Sequence, residues 1–184
     1  MNDWRQKSVE RQQEHYLSLD VKFKFKDVLR YNASVAKKNI VNDIVVGIGI
    51  AVLLFFFYKM FTTTERLDIY ISKNITLLLI PILIFVLVPW RVWQITASQM
   101  QLPAFAYGVK YVFSKEHILL DIGEASEEMP WDLFVSIVET KHDFRFYVNQ
   151  VSAQIIPKHN LNNEQLIVLR EMIKSTKPED CRLK

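Results

Sequence analysis

Two long apolar segments in the middle of the chain, residues 44–61 and 75–93, constrain its fold more than any other feature. As helices they would be roughly 27–29 Å long, which matches the hydrocarbon core of a bilayer. Each holds about a dozen strongly apolar residues, so membrane insertion is favourable by several kcal/mol. Trp90, Arg91 and Trp93 form an interfacial pattern of aromatic rings and a snorkelling cation at the end of the second segment. The sequence therefore predicts a two-helix transmembrane hairpin.

Composition excludes several other classes of protein. The single cysteine, Cys181, excludes a disulfide scaffold, and 12 Phe, 7 Tyr and 4 Trp with a net charge of only +3 exclude disorder. Two buried helices of a soluble domain would need more apolar mass around them than 184 residues supply. Residues 107–184 hold ten Lys/Arg against twelve Asp/Glu, so this part lacks the basic face that a nucleic-acid partner requires.

Basic residues beside the apolar segments predict their orientation, because cytoplasmic flanks are enriched in Lys and Arg. The outer flanks carry seven of these residues and the connecting loop, residues 62–74 with the end of the first helix, carries three. The seven are Lys24, Lys26, Arg30, Lys37, Lys38, Arg91 and Lys110, and the three are Lys59, Arg66 and Lys73. We therefore expect a multi-pass protein of the bacterial inner membrane with both termini cytoplasmic and the loop outside.

Two features inside the hairpin carry structural predictions. Gly47 and Ala51 form a small-residue pair that either lets the two helices of one hairpin approach closely, the interpretation we favour, or forms the seam of a homodimer. Pro81 lies inside the second helix, removes one backbone donor and predicts a bend there.

The segment before the hairpin, residues 16–43, predicts a cytosolic strand and a juxtamembrane helix, preceded by a polar tail at residues 1–15. Apolar residues alternate with polar ones from Leu17 to Lys26, which is the pattern of a half-buried strand, and Asp27 is the predicted helix cap. The polar face of the strand carries Lys22, Lys24 and Lys26. These lysines are either a solvated row that protects a sheet edge or contacts for anionic lipid headgroups.

Residues 107–176 predict a small cytosolic domain, and residues 177–184 a tail. Short alternating segments separated by turns at about ten-residue spacing predict an antiparallel sheet, and the N-terminal strand is expected to join it. Asn162 with Gln165 resembles a capping box that opens a closing amphipathic helix. The predicted fold class is thus α+β: a transmembrane hairpin plus an antiparallel sheet closed by a C-terminal helix.

Several short runs in this domain resemble the YcxB-like family, and the resemblance extends over residues 16–175. The runs are Phe113–Ile118, Met129–Trp131, Ile137–Thr140, Asp143–Tyr147 and Ala153–Lys158, and the segment Asp27–Tyr31 also fits the family's opening. His159 stands where the family usually has arginine, and Pro130 where an aliphatic residue is more typical. The resemblance implies a bacterial membrane protein with two spanning helices and a C-terminal domain similar to a pleckstrin-homology (PH-like) fold. It implies no established active site.

We predict no enzymatic activity, no cofactor and no metal site. His15, His117, His142 and His159 have no metal-ligand spacing among them or with Cys181, and no phosphate loop or nucleophile elbow is present. Asp132, Glu139 and Asp143 are expected at strand ends or turns rather than in an acid–base pair.

The remaining candidates are residues for contact with a partner. Trp131 is predicted to anchor the core rather than an interface, and Lys158 with His159 lies either in a solvated turn or against the bilayer or a partner. With the three lysines of the N-terminal strand, these are the predicted contact residues.

Three functions follow from these predictions. The leading one is a non-enzymatic membrane protein whose cytosolic domain binds a protein or lipid partner. The alternative is an immunity protein that protects the cell against a membrane-acting or periplasm-entering toxin from competing bacteria. A membrane enzyme acting on lipids is the third and the least favoured.

Overall fold

The computed structural model describes residues 17–123, 125–179 and 181–183. The predicted polar tail, residues 1–15, lies outside the described residues. In chain order the elements are β1 (Leu17–Val21), α1 (Phe25–Ala36), α2 (Ile40–Thr62), α3 (Leu67–Lys73), α4 (Ile75–Gln99), α5 (Pro103–Tyr107), β2 (Val109–Phe113), β3 (His117–Asp121), β4 (Ser126–Pro130), β5 (Ser136–Glu139), β6 (Asp143–Tyr147), β7 (Ala153–Pro157), α6 (Asn163–Thr176) and β8 (Cys181–Arg182). Single turns of 3-10 helix, Trp131–Leu133 and Lys158–Asn160, precede β5 and α6.

The chain divides into two compact units. The sheet unit combines the residues up to Val28 with those from Gln99 onward, and the helical unit is Leu29–Ser98. The helical unit is therefore inserted into the sequence of the sheet unit between β1 and β2. This arrangement confirms the predicted fold class: two long apolar helices, then an antiparallel sheet and a C-terminal helix.

The described residues of the sheet unit form two four-stranded sheets. The first is an antiparallel meander in the order β1-β2-β3-β4, and β1 pairs with β2 in the register Leu19↔Tyr111. The second has the order β7-β6-β5-β8, in which only β8 runs parallel to its neighbour. The N-terminal strand thus joins the sheet as predicted, although almost ninety residues separate it from its partner in the sequence.

The core of the sheet unit is formed by the side chains on the inward-facing side of each strand, where buried and exposed residues alternate. Leu17, Leu19 and Val21 are buried in β1, while Ser18 and Asp20 between them are exposed. They pack with fully enclosed side chains from the other strands and from α6, among them Phe113, Ile137, Phe144, Leu169 and Ile173. Each such side chain contributes roughly 1.5–3 kcal/mol of transfer free energy, so apolar burial dominates the stability of this unit.

The strand β1 is half as long as the alternation predicted. It ends at Val21, and α1 begins at Phe25, so Asp27 lies inside the first turn of the helix. Its carboxylate accepts a hydrogen bond from the backbone N–H of Lys24 at 3.1 Å. The prediction that Asp27 is the N-cap residue was therefore wrong by three residues: it satisfies the helix end from within the helix.

Both apolar segments form helices that are longer than predicted. Helix α2 has 23 residues and α4 has 25, or roughly 35 and 38 Å, against predicted spans of 44–61 and 75–93. By length and composition both can cross a membrane, which fits a membrane protein. Helix α4 continues through Pro81 and also through Pro89.

The small-residue prediction named the wrong glycine for the contact between the two helices. A Cβ atom on Gly49 would lie 3.4 Å from Ile84 Cδ1 of α4, whereas one on Gly47 would meet no atom within 4 Å. Ala51 is exposed. Gly49 therefore lies on the side of α2 that faces Ile84 of α4, and the homodimer seam at Gly47 and Ala51 stays a prediction.

The connection between the two long helices is partly folded, although it was predicted as a loop at residues 62–74. Helix α3 lies in it, and the Tyr70 hydroxyl donates a hydrogen bond to the carbonyl oxygen of Phe56 in α2 at 2.9 Å. The two rings are 5.4 Å apart. The segment thus folds against the end of α2 rather than alone.

Candidate functional site

The turn Lys158–Asn160 holds the segment that leads from β1 to α1. The side-chain amide of Asn160 makes two hydrogen bonds with the backbone of Lys22: its oxygen accepts from the N–H and its nitrogen donates to the carbonyl, both at 3.1 Å. This two-point contact imitates the pairing of a neighbouring strand. It fixes the backbone at the point where β1 ends.

One residue earlier in the turn, His159 holds the first turn of α1. Its Nε2 atom lies 2.8 Å from Asp27 Oδ2, and the Asp27 carboxylate is buried. The same carboxylate accepts from Lys24, so His159, Asp27 and Lys24 form one chain of hydrogen bonds. His159 is thus exposed in the turn Lys158–Asn160, and its imidazole contacts Asp27 within the sheet unit.

Lys158 faces the opposite way, into a buried ion-pair network. Its Nζ atom lies 2.5 Å from Glu139 Oε1, donates to the carbonyl oxygen of Thr140 at 2.7 Å, and sits 5.2 Å from the centre of the Phe144 ring. Arg170 of α6 donates to both oxygens of the same carboxylate, at 2.6 and 3.1 Å. The network therefore joins β5, the turn after β7 and α6 through one side chain.

The Glu139 side chain is 0% exposed, so its charge depends on these two cations. The hydrogen bond from Arg170 to Glu139 raises the pKa of the Arg170 guanidinium above its ordinary value, an effect that the desolvation of Arg170 only partly offsets. Glu139 ends β5, as the sequence predicted, and it is a buried anion held by ion pairs.

A second buried pair lies beside the first. Arg145 Nε donates to Asp143 Oδ1 at 2.8 Å, and the Thr140 hydroxyl bonds the same oxygen at 2.7 Å. Burial alone would lower the pKa of Arg145, but its hydrogen bonds to Asp143 and Tyr147 raise it above the ordinary value. Both buried carboxylates that the sequence offered for acid–base chemistry are thus held by cations in ion pairs. The third, Asp132, is exposed and lies 3.4 Å from Lys177.

Trp131 belongs to the core, which was the favoured of its two predicted roles. It is 3% exposed, and its indole N–H donates to the carbonyl oxygen of Ser114 at 2.9 Å. Its ring packs with those of Phe113 and Phe146. Nearby, burial raises the pKa of the Tyr111 phenol well above its usual range. Trp131 is therefore not available to a partner.

Lys22, Lys24 and Lys26, the remaining predicted contact residues, are exposed. Their ammonium groups form no hydrogen bond or ion pair with another residue in the part of the chain that the structure describes. The backbone between them is fixed by Asn160 at one end and by the Asp27–His159 contact at the other. The sheet unit thus presents three cations on a segment whose backbone is held in place.

Lys110 does not extend this basic surface. It is the cross-strand neighbour of Asp20 on β1 and of Asp121 on β3, so this row across the first sheet carries two negative charges and one positive charge. The exposed cations nearest to the junction of β1 and α1 are therefore those of residues 22–26, which we call the lysine segment.

Within the described residues, no three His, Cys, Asp or Glu side chains are grouped so that they could hold a metal ion. Sequence reasoning also missed Asn160 and Arg170, which organise the lysine segment and the ion-pair network. No periodicity or motif marks either residue, because their partners lie 138 and 31 positions away.

Comparison with known proteins gives one match. Residues 113–173, a third of the chain, match the model of the family described as YcxB-like protein, which confirms the predicted resemblance over β3–β7 and most of α6. No curated protein and no solved structure matches the chain significantly. The PH-like fold and the toxin-immunity role stay predictions.

Proposed function

We propose that this is a non-enzymatic membrane protein whose sheet unit is a binding module in the cytoplasm, and that the lysine segment contacts anionic lipid headgroups. The observation that carries the proposal is the lysine segment itself: three exposed cations on a fixed backbone where β1 leads into α1, ahead in the sequence of the helices that can cross a membrane. Each basic residue close to an anionic surface contributes about 1 kcal/mol.

The buried charges support the non-enzymatic part of the proposal. Glu139 and Asp143 hold strands, a turn and a helix together through ion pairs, so their chemistry is used by the fold. A binding module requires such a rigid frame, since a fixed arrangement of surface cations loses little entropy when it meets its partner.

The sheet topology supports a hairpin with both ends on one side. Val21, the last residue of β1, pairs with Val109, the first residue of β2, so the chain leaves and re-enters the first sheet at the same end of two neighbouring strands. Two membrane crossings in between return the chain to the side from which it left. The excess of Lys and Arg on the flanks favours the cytoplasm for that side.

The orientation can be tested with the single cysteine. We expect Cys181 to resist a maleimide that cannot cross the inner membrane in intact cells, and to react after permeabilisation. A T64C/C181S variant should show the opposite behaviour, because Thr64 is exposed in the connection between α2 and α3. Denatured samples of both variants measure the intrinsic reactivity of each thiol. Labelling of Cys181 in intact cells would contradict the proposed orientation.

The role of the lysine segment can be tested by energy transfer. The full chain carries a donor on Cys181 and is reconstituted in nanodiscs that contain a headgroup-labelled acceptor lipid. We expect transfer to increase when anionic lipid replaces zwitterionic lipid, and to decrease at about 1 M salt, where the Debye length is only about 3 Å. In K22Q/K24Q the docking equilibrium should weaken by about 2 kcal/mol, or roughly 30-fold.

The matched control is K141Q/K174Q, which removes the same charge from two exposed lysines elsewhere in the sheet unit. An equal loss in both variants would mean that net charge and not the lysine segment acts. Transfer that is unaffected by K22Q/K24Q would identify a solvated lysine row. If lipid charge has no effect but K22Q/K24Q loses a co-purified acidic protein, the partner is a protein and the lipid proposal fails.

A further inference from the structure

A groove in the helical unit has the composition of a site for an amphiphile. It has a volume of about 530 Å³ and lies between the second half of α1, the start of α2 and the second half of α4. Helix α1 is held against α4 because Asn32 donates to the Thr96 hydroxyl at 3.0 Å. The volume falls within the range of small-molecule sites in proteins, about 300–1,000 Å³.

Among the described residues that line the groove, Arg91 of α4 is the one that is charged. It forms no hydrogen bond or ion pair with any residue among those that the structure describes. The neighbouring polar residues are engaged locally: Asn39 Oδ1 accepts from the N–H of Val41, and Asn42 Nδ2 donates to the carbonyl oxygen of Ala36. The guanidinium group of Arg91 is therefore available to a ligand in the groove. Its planar array of N–H donors matches a phosphate group.

The position of Arg91 along α4 indicates the depth of its guanidinium group in a bilayer. Trp90 and Trp93 flank it and stack with their ring centres 5.2 Å apart, as expected of aromatic residues at a membrane–water interface. Val88 and Leu87 lie three and four residues earlier in α4, or roughly 5–6 Å deeper in the apolar part of the helix. The groove thus passes from an interfacial cation to an apolar wall.

We infer that this groove holds one anionic phospholipid, with its phosphate on Arg91 and an acyl chain along Val45, Leu87 and Val88. Charge complementarity selects the anionic headgroup, since the lining contributes one positive charge and no negative one. The apolar wall selects a ligand with a hydrocarbon chain over free phosphate. The site lies wholly within the helical unit and does not involve the lysine segment, so it stands independently of the proposed function.

The test measures lipid retained by the full chain in mild detergent, using native mass spectrometry with added phosphatidylglycerol or phosphatidylcholine. We expect about one phosphatidylglycerol per chain and no retained phosphatidylcholine. R91Q should weaken retention about tenfold, as expected for the loss of a hydrogen bond to a charged group, whereas R91K should retain part of it. The matched control is K59Q, which removes an exposed cation from the other end of the hairpin and should change nothing.

A second variant tests the acyl part of the site with Arg91 intact. V88W fills the deeper groove and should abolish retention of phosphatidylglycerol while the thermal midpoint without lipid remains near that of the unmodified chain. Wild-type retention in R91Q or V88W would overturn the inference, and so would an equal loss in K59Q. Competition by glycerol phosphate as effective as that by phosphatidylglycerol would overturn it as well, because the ligand would then be a phosphate without a chain.

Discussion

Replacing Glu139 by Gln is expected to lower the free energy of unfolding of the sheet unit by about 3 kcal/mol, or the midpoint of its thermal transition by on the order of 10 °C. The substitution keeps the shape of the side chain but removes the charge that pairs with Lys158 and Arg170. Removing one member of a buried ion pair leaves its partners without compensation in a region of low dielectric. The measurement is the thermal unfolding of the full chain in mild detergent.

Asp132 provides the matched control. Its carboxylate also lies near a lysine, at 3.4 Å from Lys177, but its side chain is 98% exposed, so D132N is expected to cost less than about 1 kcal/mol. The side chains of Lys158 and Arg170 are 18% and 31% exposed, so both cations can turn partly toward water. This exposure limits the loss of stability that we expect for E139Q.

A double variant separates the charge effect from packing. In E139Q/K158M the second substitution removes one of the two cations left unpaired by the first, so part of the lost stability should return. Equal midpoints for E139Q and D132N would show that the buried network contributes no more than a surface pair. A further loss in the double variant would show that Lys158 acts mainly through Thr140 and Phe144 rather than through Glu139.

Local patterns in the sequence predicted the local structure well. The alternation in Leu17–Val21 gave the buried face of β1, because side chains on a strand alternate between its two sides. The Asn162–Gln165 capping box is present with both of its hydrogen bonds, since these depend only on residues three positions apart. The two apolar segments gave the two long helices, although each helix extends into its polar flanks.

The contacts that organise the candidate site could not be predicted in this way. His159 and Asp27 are 132 positions apart, and neither residue type specifies a partner at such a distance. Sequence reasoning therefore treated Lys158 and His159 as one unit in a turn. The fold sends their side chains in opposite directions, to the carboxylates of Glu139 and Asp27. The exposure of Lys22, Lys24 and Lys26 was predictable from the charge of their side chains, although none of the three lies in β1, the observed part of the strand that the alternation predicted.

The same limit explains the error at the small residues of α2. Gly47, Gly49 and Ala51 all suit a close helix–helix contact, and periodicity alone does not say which side of α2 faces α4. That side is set by two contacts of α2: Gly49 packs against Ile84 of α4, and the carbonyl oxygen of Phe56 accepts a hydrogen bond from Tyr70 of α3. Both are tertiary contacts, and an all-round apolar helix has no polar face from which its orientation could be read.

Gly108 lies where the chain returns from the two long helices to the first sheet. We expect Gly108→Ala to lower the free energy of unfolding by about 2–4 kcal/mol. Gly108 precedes β2 with φ +92° and ψ 178°, a conformation that is essentially restricted to glycine. A Cβ atom would also lie 2.7 Å from the carbonyl oxygen of Val21 at the end of β1. Since Val21 pairs with Val109, the clash would push β1 and β2 apart at this end of the two strands.

Gly123 separates the conformational cost from the clash, because it has a similar φ of +88° but open space where a Cβ atom would lie. We expect Gly123→Ala to cost only about 1 kcal/mol, and hydrogen exchange in the full chain to increase in β1 and β2 for Gly108→Ala alone. Equal losses of stability in the two variants would show that the close contact with the carbonyl oxygen of Val21 adds no cost. A larger loss for Gly108 confined to β1 and β2 would show that the entry to β2 holds the N-terminal strand, and with it the lysine segment, in the sheet unit.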